Sequence, residues 1–176
     1  MCKRTIIGFH ACRSVGEPCF PFLSNDHEKT WLTQGYYFWT DTDSWARFWG
    51  KNSVSKNGSY RVLECKIALE DDELLDLVGN ARHLELFSEM IRKVSSKTSL
   101  PIVTVRTVLK FLRAEEAKEP GTFPFLAIKA ADYPKTDYKF VEKMNEKLAT
   151  LNRQQLCVFE QAKARIALIN SKVYQE

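Results

Sequence analysis

Histidine is scarce in this chain: His10, His27 and His83 are the only three among 176 residues. So few leave little from which to build a histidine-rich metal site. The five cysteines, Cys2, Cys12, Cys19, Cys65 and Cys157, contain no CxxC pair and no metal-ligand spacing. An odd number of cysteines without a secretory leader fits reduced thiols in a cytoplasm. Met1-Cys2-Lys3-Arg4-Thr5-Ile6-Ile7 is too short in apolar residues for a signal peptide. No run approaches the roughly 18 apolar residues of a membrane-spanning helix. Internal repeats, low-complexity tracts and domain boundaries are missing as well. These absences point to a single domain over residues 1–176, cytoplasmic, with no metal and no membrane partner.

What remains is ordinary in bulk and uneven in detail. A charged fraction of 27% and a net charge of +4 permit an acidic or phosphate-bearing partner without demanding one. The stretch from Gly35 to Trp49 holds seven aromatic residues in fifteen. Tyr36 to Trp39 reads as a strand. Thr40, Asp41, Thr42 and Asp43 break it, and any of them can cap a helix over Ser44 to Trp49. Aromatic rings on such a strand and helix either sandwich a flat ligand ring or pack as core.

The remaining elements follow from pattern. Thr5 to His10 reads as a first strand ending on the histidine, followed to Asp26 by turn-rich sequence with Gly16, Pro18 and Pro21. Lys51 to Ser59 reads as a surface loop with an Asn57-Gly58 turn, and Tyr60 to Leu69 as a strand. The acids Glu70 to Glu73 suit the start of a helix running into Leu74 to Val78. Leu84, Phe87, Met90, Ile91 and Val94 fall at helical spacing. Val103 to Glu119 reads as a second helix, preceded by Pro101 and stopped by Pro120-Gly121. Thr122 to Ala130 reads as a strand with Pro124 at an edge, Asp137 to Thr150 as a polar helix, and Gln155 to Phe159 and Ala164 to Val173 as strands. Short strands mixed with helices give an α+β class with a modest sheet.

Three features in chain order carry a resemblance: His10-Ala11-Cys12, then Gly35-Tyr36-Tyr37-Phe38 with Ala46 and Phe48, then Gln155-Leu156-Cys157-Val158-Phe159-Glu160. Together they resemble the ADP-ribosyltransferases of the diphtheria-toxin-like and poly(ADP-ribose)-polymerase-like branch, whose His-Tyr-Glu triad binds NAD+. The first motif matches at the histidine alone. The second matches well, although Trp45 stands at the family's serine and Ser44 one position earlier. The third has Gln155 where the family has glutamate. The resemblance covers about a third of the chain.

It implies an ADP-ribosyltransferase-like split sheet, antiparallel or mixed, with NAD+ as substrate in a cleft. By this resemblance His10 bonds a ribose hydroxyl and the Ala11 backbone meets the nicotinamide carboxamide. Tyr37 and Phe48 stack on the nicotinamide, and Ser44 bonds its carboxamide. Gln155 takes the catalytic position, where an amide positions ribose without supplying full charge. Arg153, two residues earlier, is expected to face the acceptor, and an arginine there suits a phosphate-bearing one. The implied activity is mono-ADP-ribosyl transfer to a protein, RNA or DNA. Small bacterial members of the family are often toxins, which implies a neutralising antitoxin or immunity protein and a role in toxin–antitoxin or phage defence.

Other readings of the same residues stand beside it. NAD+ hydrolysis shares the pocket, and the departures at Ala11, Trp45 and Gln155 allow an inactive fold kept for binding. Asp41 and Asp43 could hold a metal, but alternate acids before a helix more often cap it. Cys12 or Cys157 with His10 could form a thiol nucleophile, although no orienting acid or amide is identifiable. An RNA-binding module would need an aromatic sheet motif that this chain lacks. Glu160 has the opposite strand parity to Gln155 and does not replace it.

Overall fold

The long strand β1 (Lys3–Arg13) is zipped antiparallel to β3 (Ser59–Glu70) along its whole length, from Lys3 opposite Glu70 to Arg13 opposite Tyr60. The computed structural model describes residues 3–14, 20–25, 30–55, 58–97, 103–132, 136–139, 147–150 and 153–175, with the backbone alone at 136–139 and 147–150. Gly16, Pro18, Asn57 and Pro101, singled out in the sequence, lie outside those residues. The other strands are β2 (Tyr36–Thr40), β4 (Leu74–Asp76), β5 (Ala127–Ala131), β6 (Thr136–Lys139), β7 (Lys147–Thr150), β8 (Gln154–Val158) and β9 (Ile166–Gln175). Among the described residues seven of them form one mixed sheet in the order β4-β5-β8-β2-β1-β3-β9, with β4 and β5 its parallel pair. The α+β expectation holds at that level.

Among the described residues three α-helices pack on the sheet: α1 (Ser44–Trp49), α2 (Ala81–Lys97) and α3 (Val105–Lys118). Phe87 and Val94 of α2 and Val108, Leu109 and Leu112 of α3 bury against Leu75, Ile128 and Cys157 of the sheet. Thr104 caps α3, its hydroxyl accepting from the Thr107 amide at 3.1 Å. Ala46 of α1 buries against Trp39, Tyr60 and Val62 at the other end of the same face. The opposite face packs Tyr36, Phe38, Leu63, Ile67, Leu156 and Val158. Burying each such side chain contributes roughly 1.5–3 kcal/mol.

Several sequence expectations change. β1 continues to Arg13, so His10 sits inside the strand and not at its end. The acids at 70–73 make one 3₁₀ turn, Asp71–Glu73, before strand β4. Pairing of Leu74 with Ala127 on β5 demands extended backbone there, and Arg165 and Arg4 take the Glu73 and Asp71 charges. Leu84 is exposed, so the buried stripe of α2 starts at Phe87. The strand expected at 122–130 forms only over Ala127–Ala131. Pro124 has no amide to donate, and the Glu116 carboxylate takes the Gly121 and Phe123 amides, tying this segment to α3. Those amides hold the Glu116 carboxyl below the usual range, the Gly121 bond foremost. The polar helix expected over 137–150 is replaced at both described ends by β6 and β7, paired from Thr136–Thr150 to Lys139–Lys147. Helix propensity is a weak prior that strand pairing overrides.

Candidate functional site

β1 and β2 share only two register pairs, Gly8 with Thr40 and Phe9 with Trp39. In the continued register Ala11 would face Tyr37, and that pair is not made. Instead His10 Nδ1 lies 2.8 Å from the Tyr37 carbonyl oxygen. A carbonyl can only accept, so Nδ1 carries the proton and the neutral ring leaves Nε2 as a bare acceptor. The histidine is 4% exposed, and Nε2 is buried without a partner. Burial lowers the His10 pKa from 6.5 to about 4, offset in part by the Tyr37 carbonyl, so the ring is neutral at physiological pH. Phe22 meets the ring edge to face at 4.4 Å.

The sheet therefore opens beside His10, and a cavity of about 350 Å³ occupies the opening. Residues of both strand parities line it, His10 and Ala11 from β1 and Tyr37, Phe38 and Trp39 from β2, because it reaches into the gap between the strands. From β8, on the other side of β2, comes Gln155, paired in register with Trp39. Trp31, Trp49, Phe22, Ser24, Thr30, Arg153 and Asp132 add to the wall. His10, Tyr37 and Gln155 thus come from three adjacent strands and meet at one cavity.

Tyr37, Gln155 and Arg153 are each held by named partners. The Tyr37 hydroxyl donates to the Thr33 carbonyl at 2.7 Å and accepts from the Leu32 amide at 3.0 Å. Burial raises its pKa, and the Cys157 sulfur adds to the rise, so it stays a phenol. Gln155 Oε1 accepts from the Trp31 indole Nε1–H at 2.9 Å. Arg153 pairs with Asp132 at 2.7 Å, and its guanidinium lies 5.1 Å from the centre of the Trp45 ring.

Of the residues expected at the site, His10, Ala11, Tyr37, Gln155 and Arg153 line the cavity, and Ser44 and Phe48 do not. Ser44 is exposed at the first turn of α1, and Phe48 is 57% exposed on the outside of that helix, edge-on to Trp45. One residue further along the helix, about 100° round, Trp49 takes the place expected of Phe48. Arg153 is held by Asp132 and Trp45 rather than solvated at the mouth. Asp43 sits at the N-cap position without a side-chain cap and instead pairs with Arg47 and accepts from the Tyr174 hydroxyl. Glu160 is not on a strand: β8 ends at Val158, and Glu160 opens a 3₁₀ turn, Glu160–Arg165. Burial pushes the Cys157 thiol up to about 12, which removes it as a nucleophile.

Trp31 and Trp49 were missed. Trp31 sits in a Thr-Trp-Leu-Thr segment with no apolar period, so pattern alone gives it no role. Among the described residues no group of three or more His, Cys, Asp or Glu could hold a metal, and no helix is long and apolar enough to cross a membrane. Set against known proteins, the chain matches no protein-family model and no curated sequence.

Proposed function

We propose that the cavity binds the nicotinamide-ribose end of NAD+ and that the protein is a mono-ADP-ribosyltransferase. One observation carries this reading: His10, Tyr37 and Gln155, the three motif positions, converge from adjacent strands on one cavity. Its volume of about 350 Å³ falls in the range of ligand pockets, roughly 300–1,000 Å³. His10 Nε2 accepts a hydrogen bond from a ribose hydroxyl. Tyr37, Trp31 and Trp49 supply aromatic surface for a flat ring. Gln155 positions the ribose as the glycosidic bond to nicotinamide lengthens and positive charge grows on the sugar.

The amide at Gln155 limits the chemistry. Among the described residues the one carboxylate in the wall, Asp132, is already paired with Arg153, so none of them offers an unpaired carboxylate to the developing cation. Single transfer follows in place of chain elongation, with a slow step. The same observation favours a second reading, an inactive fold that binds NAD+ without cleaving it. A macromolecular acceptor, protein, RNA or DNA, and a neutralising antitoxin or immunity protein belong to the first reading. With Arg153 committed to Asp132, its support for a nucleic-acid acceptor is weaker than the sequence implied.

Incubation with labelled NAD+ and whole-cell lysate, beside Tyr37→Ala and Gln155→Ala, tests the reading. Label transferred by the wild type and lost in both variants is the expected result, and nuclease or protease treatment then identifies the acceptor class. Nicotinamide release without macromolecular label would mean hydrolysis. Binding without release would mean the inactive fold, and no binding would overturn the reading.

A further inference from the structure

The contact between Trp31 and Gln155 has a chemical direction. An indole N–H can only donate, and of the two ends of a glutamine amide only the oxygen accepts. The 2.9 Å separation of Trp31 Nε1 from Gln155 Oε1 therefore fixes which way the amide faces, without recourse to distinguishing its N from its O. The oxygen is engaged, and the Nε2 hydrogens are what the amide can offer a ligand.

The segment carrying Trp31 is tied down by its neighbours. Thr33 holds a left-handed conformation, φ 71°, which a threonine rarely adopts. Its carbonyl takes the Tyr37 hydroxyl, and its own hydroxyl takes Arg113 Nη1 at 3.1 Å. Arg113 also donates to the Gln34 carbonyl, and Gly35 and Ser24 exchange two hydrogen bonds. A strained residue so surrounded persists because its neighbours over-determine it. The indole is thus presented to Gln155 by a fixed segment.

We propose that Trp31 is a positioning residue that sets the polarity of Gln155, so that the amide turns its Nε2 donor, and not its oxygen, toward a ligand in the cavity. The group that suits this donor is an acceptor such as a hydroxyl or carbonyl oxygen. Replacing Gln155 by glutamate inverts this polarity. Trp31 then holds one carboxylate oxygen, and the other meets the ligand as a charged acceptor. This consequence for turnover rests on the proposed reaction; the hydrogen bond itself does not.

The first test reads the bond directly in the full chain. Four tryptophans give four indole N–H resonances, and Trp31→Phe identifies one by its loss. In Gln155→Leu and the near-isosteric Gln155→Met, that resonance shifts and its solvent exchange quickens about tenfold, as loss of one hydrogen bond requires. The other three hold, which shows that the variants are folded. An unchanged Trp31 indole in both variants would overturn the proposal. The second test is the pKa of the carboxyl introduced by Gln155→Glu, about one unit lower with Trp31 present than with Trp31→Phe; equal values would overturn it too. In turnover, Gln155→Glu releases nicotinamide at least about tenfold faster than wild type, and Trp31→Phe cancels the gain. If the first two results hold and no variant turns NAD+ over, the positioning role stands and the reaction falls.

Discussion

Two hollows among the described residues differ in how their polar groups are used. One, of about 420 Å³, lies between α3 and the 33–34 turn and is lined by Lys110, Arg113, Glu116, Phe123 and Gln161. Its principal charges are spent on the fold. Arg113 donates to Thr33, Gln34 and Gln161 and lies over the Phe159 ring, and Glu116 takes the amides of Gly121 and Phe123. The other, of about 350 Å³, keeps a buried acceptor unpartnered at His10 and an amide half-used at Gln155. An unpaired buried polar atom costs about 1–3 kcal/mol. That unpartnered acceptor, more than volume, is what supports the smaller hollow as the proposed site.

The sharpest way to break this contrast is pH. His10 titrates near 4 in the fold and near 6.5 in the free chain, so the unfolded state takes up the proton first. The His10 contribution alone is full above pH 6.5, falls by about 3 kcal/mol as pH drops from 6.5 to 4, and is level below. Urea unfolding across that window, compared with His10→Asn, reads the difference; matching slopes would count against a neutral buried ring. NAD+ binding should hold steady from pH 8 to about 5. Next is Arg113→Ala, expected to lose about 2 kcal/mol of stability, measured by urea midpoint, while Lys110→Ala in the same hollow leaves the thermal shift by NAD+ intact. Loss of that shift in Lys110→Ala would move the site to the larger hollow.

The third comparison is within one helix. Trp49→Ala should weaken NAD+ binding about tenfold, some 1.4 kcal/mol, while Phe48→Ala leaves it unchanged; calorimetric titration separates the two, and a reversed order would restore Phe48. The smallest effect belongs to Arg153→Lys, which keeps a cation beside Asp132 but gives up the guanidinium contact with the Trp45 ring. Less than about 1 kcal/mol of stability is expected, with NAD+ affinity nearly unchanged.

Much of the arrangement was legible in the residues. Tyr36 to Trp39 and Tyr60 to Leu69 announced their strands by composition and alternation, and Ser44 to Trp49 its helix by the breaking residues before it. The motif positions His10, Tyr37 and Gln155 did prove to share a cavity. Phe48 and Ser44 were misplaced because alignment counts residues, while a helix turns about 100° at each one and sends neighbours to different faces. The pairing that holds Arg153, expected at the acceptor side, has no sequence signal: its partner Asp132 is 21 positions away, and long-range pairing leaves no local trace. Trp31 was invisible for the same reason: its partner Gln155 lies 124 positions on. The 137–150 segment was assigned by propensity, which loses to pairing between its own ends.

His10 acts on the sheet as a wedge. Its ring occupies the carbonyl that the next amide of β1 would otherwise bond, and so it props open the seam in which the cavity lies. A small residue at this position would let Ala11 and Tyr37 zip together and close the seam. Opening the pocket and equipping it are thus one residue's work, and loss of binding in His10→Ala would not distinguish a missing acceptor from a shut door. The informative substitution is His10→Asn, which retains a donor for the Tyr37 carbonyl and gives up the imidazole nitrogen.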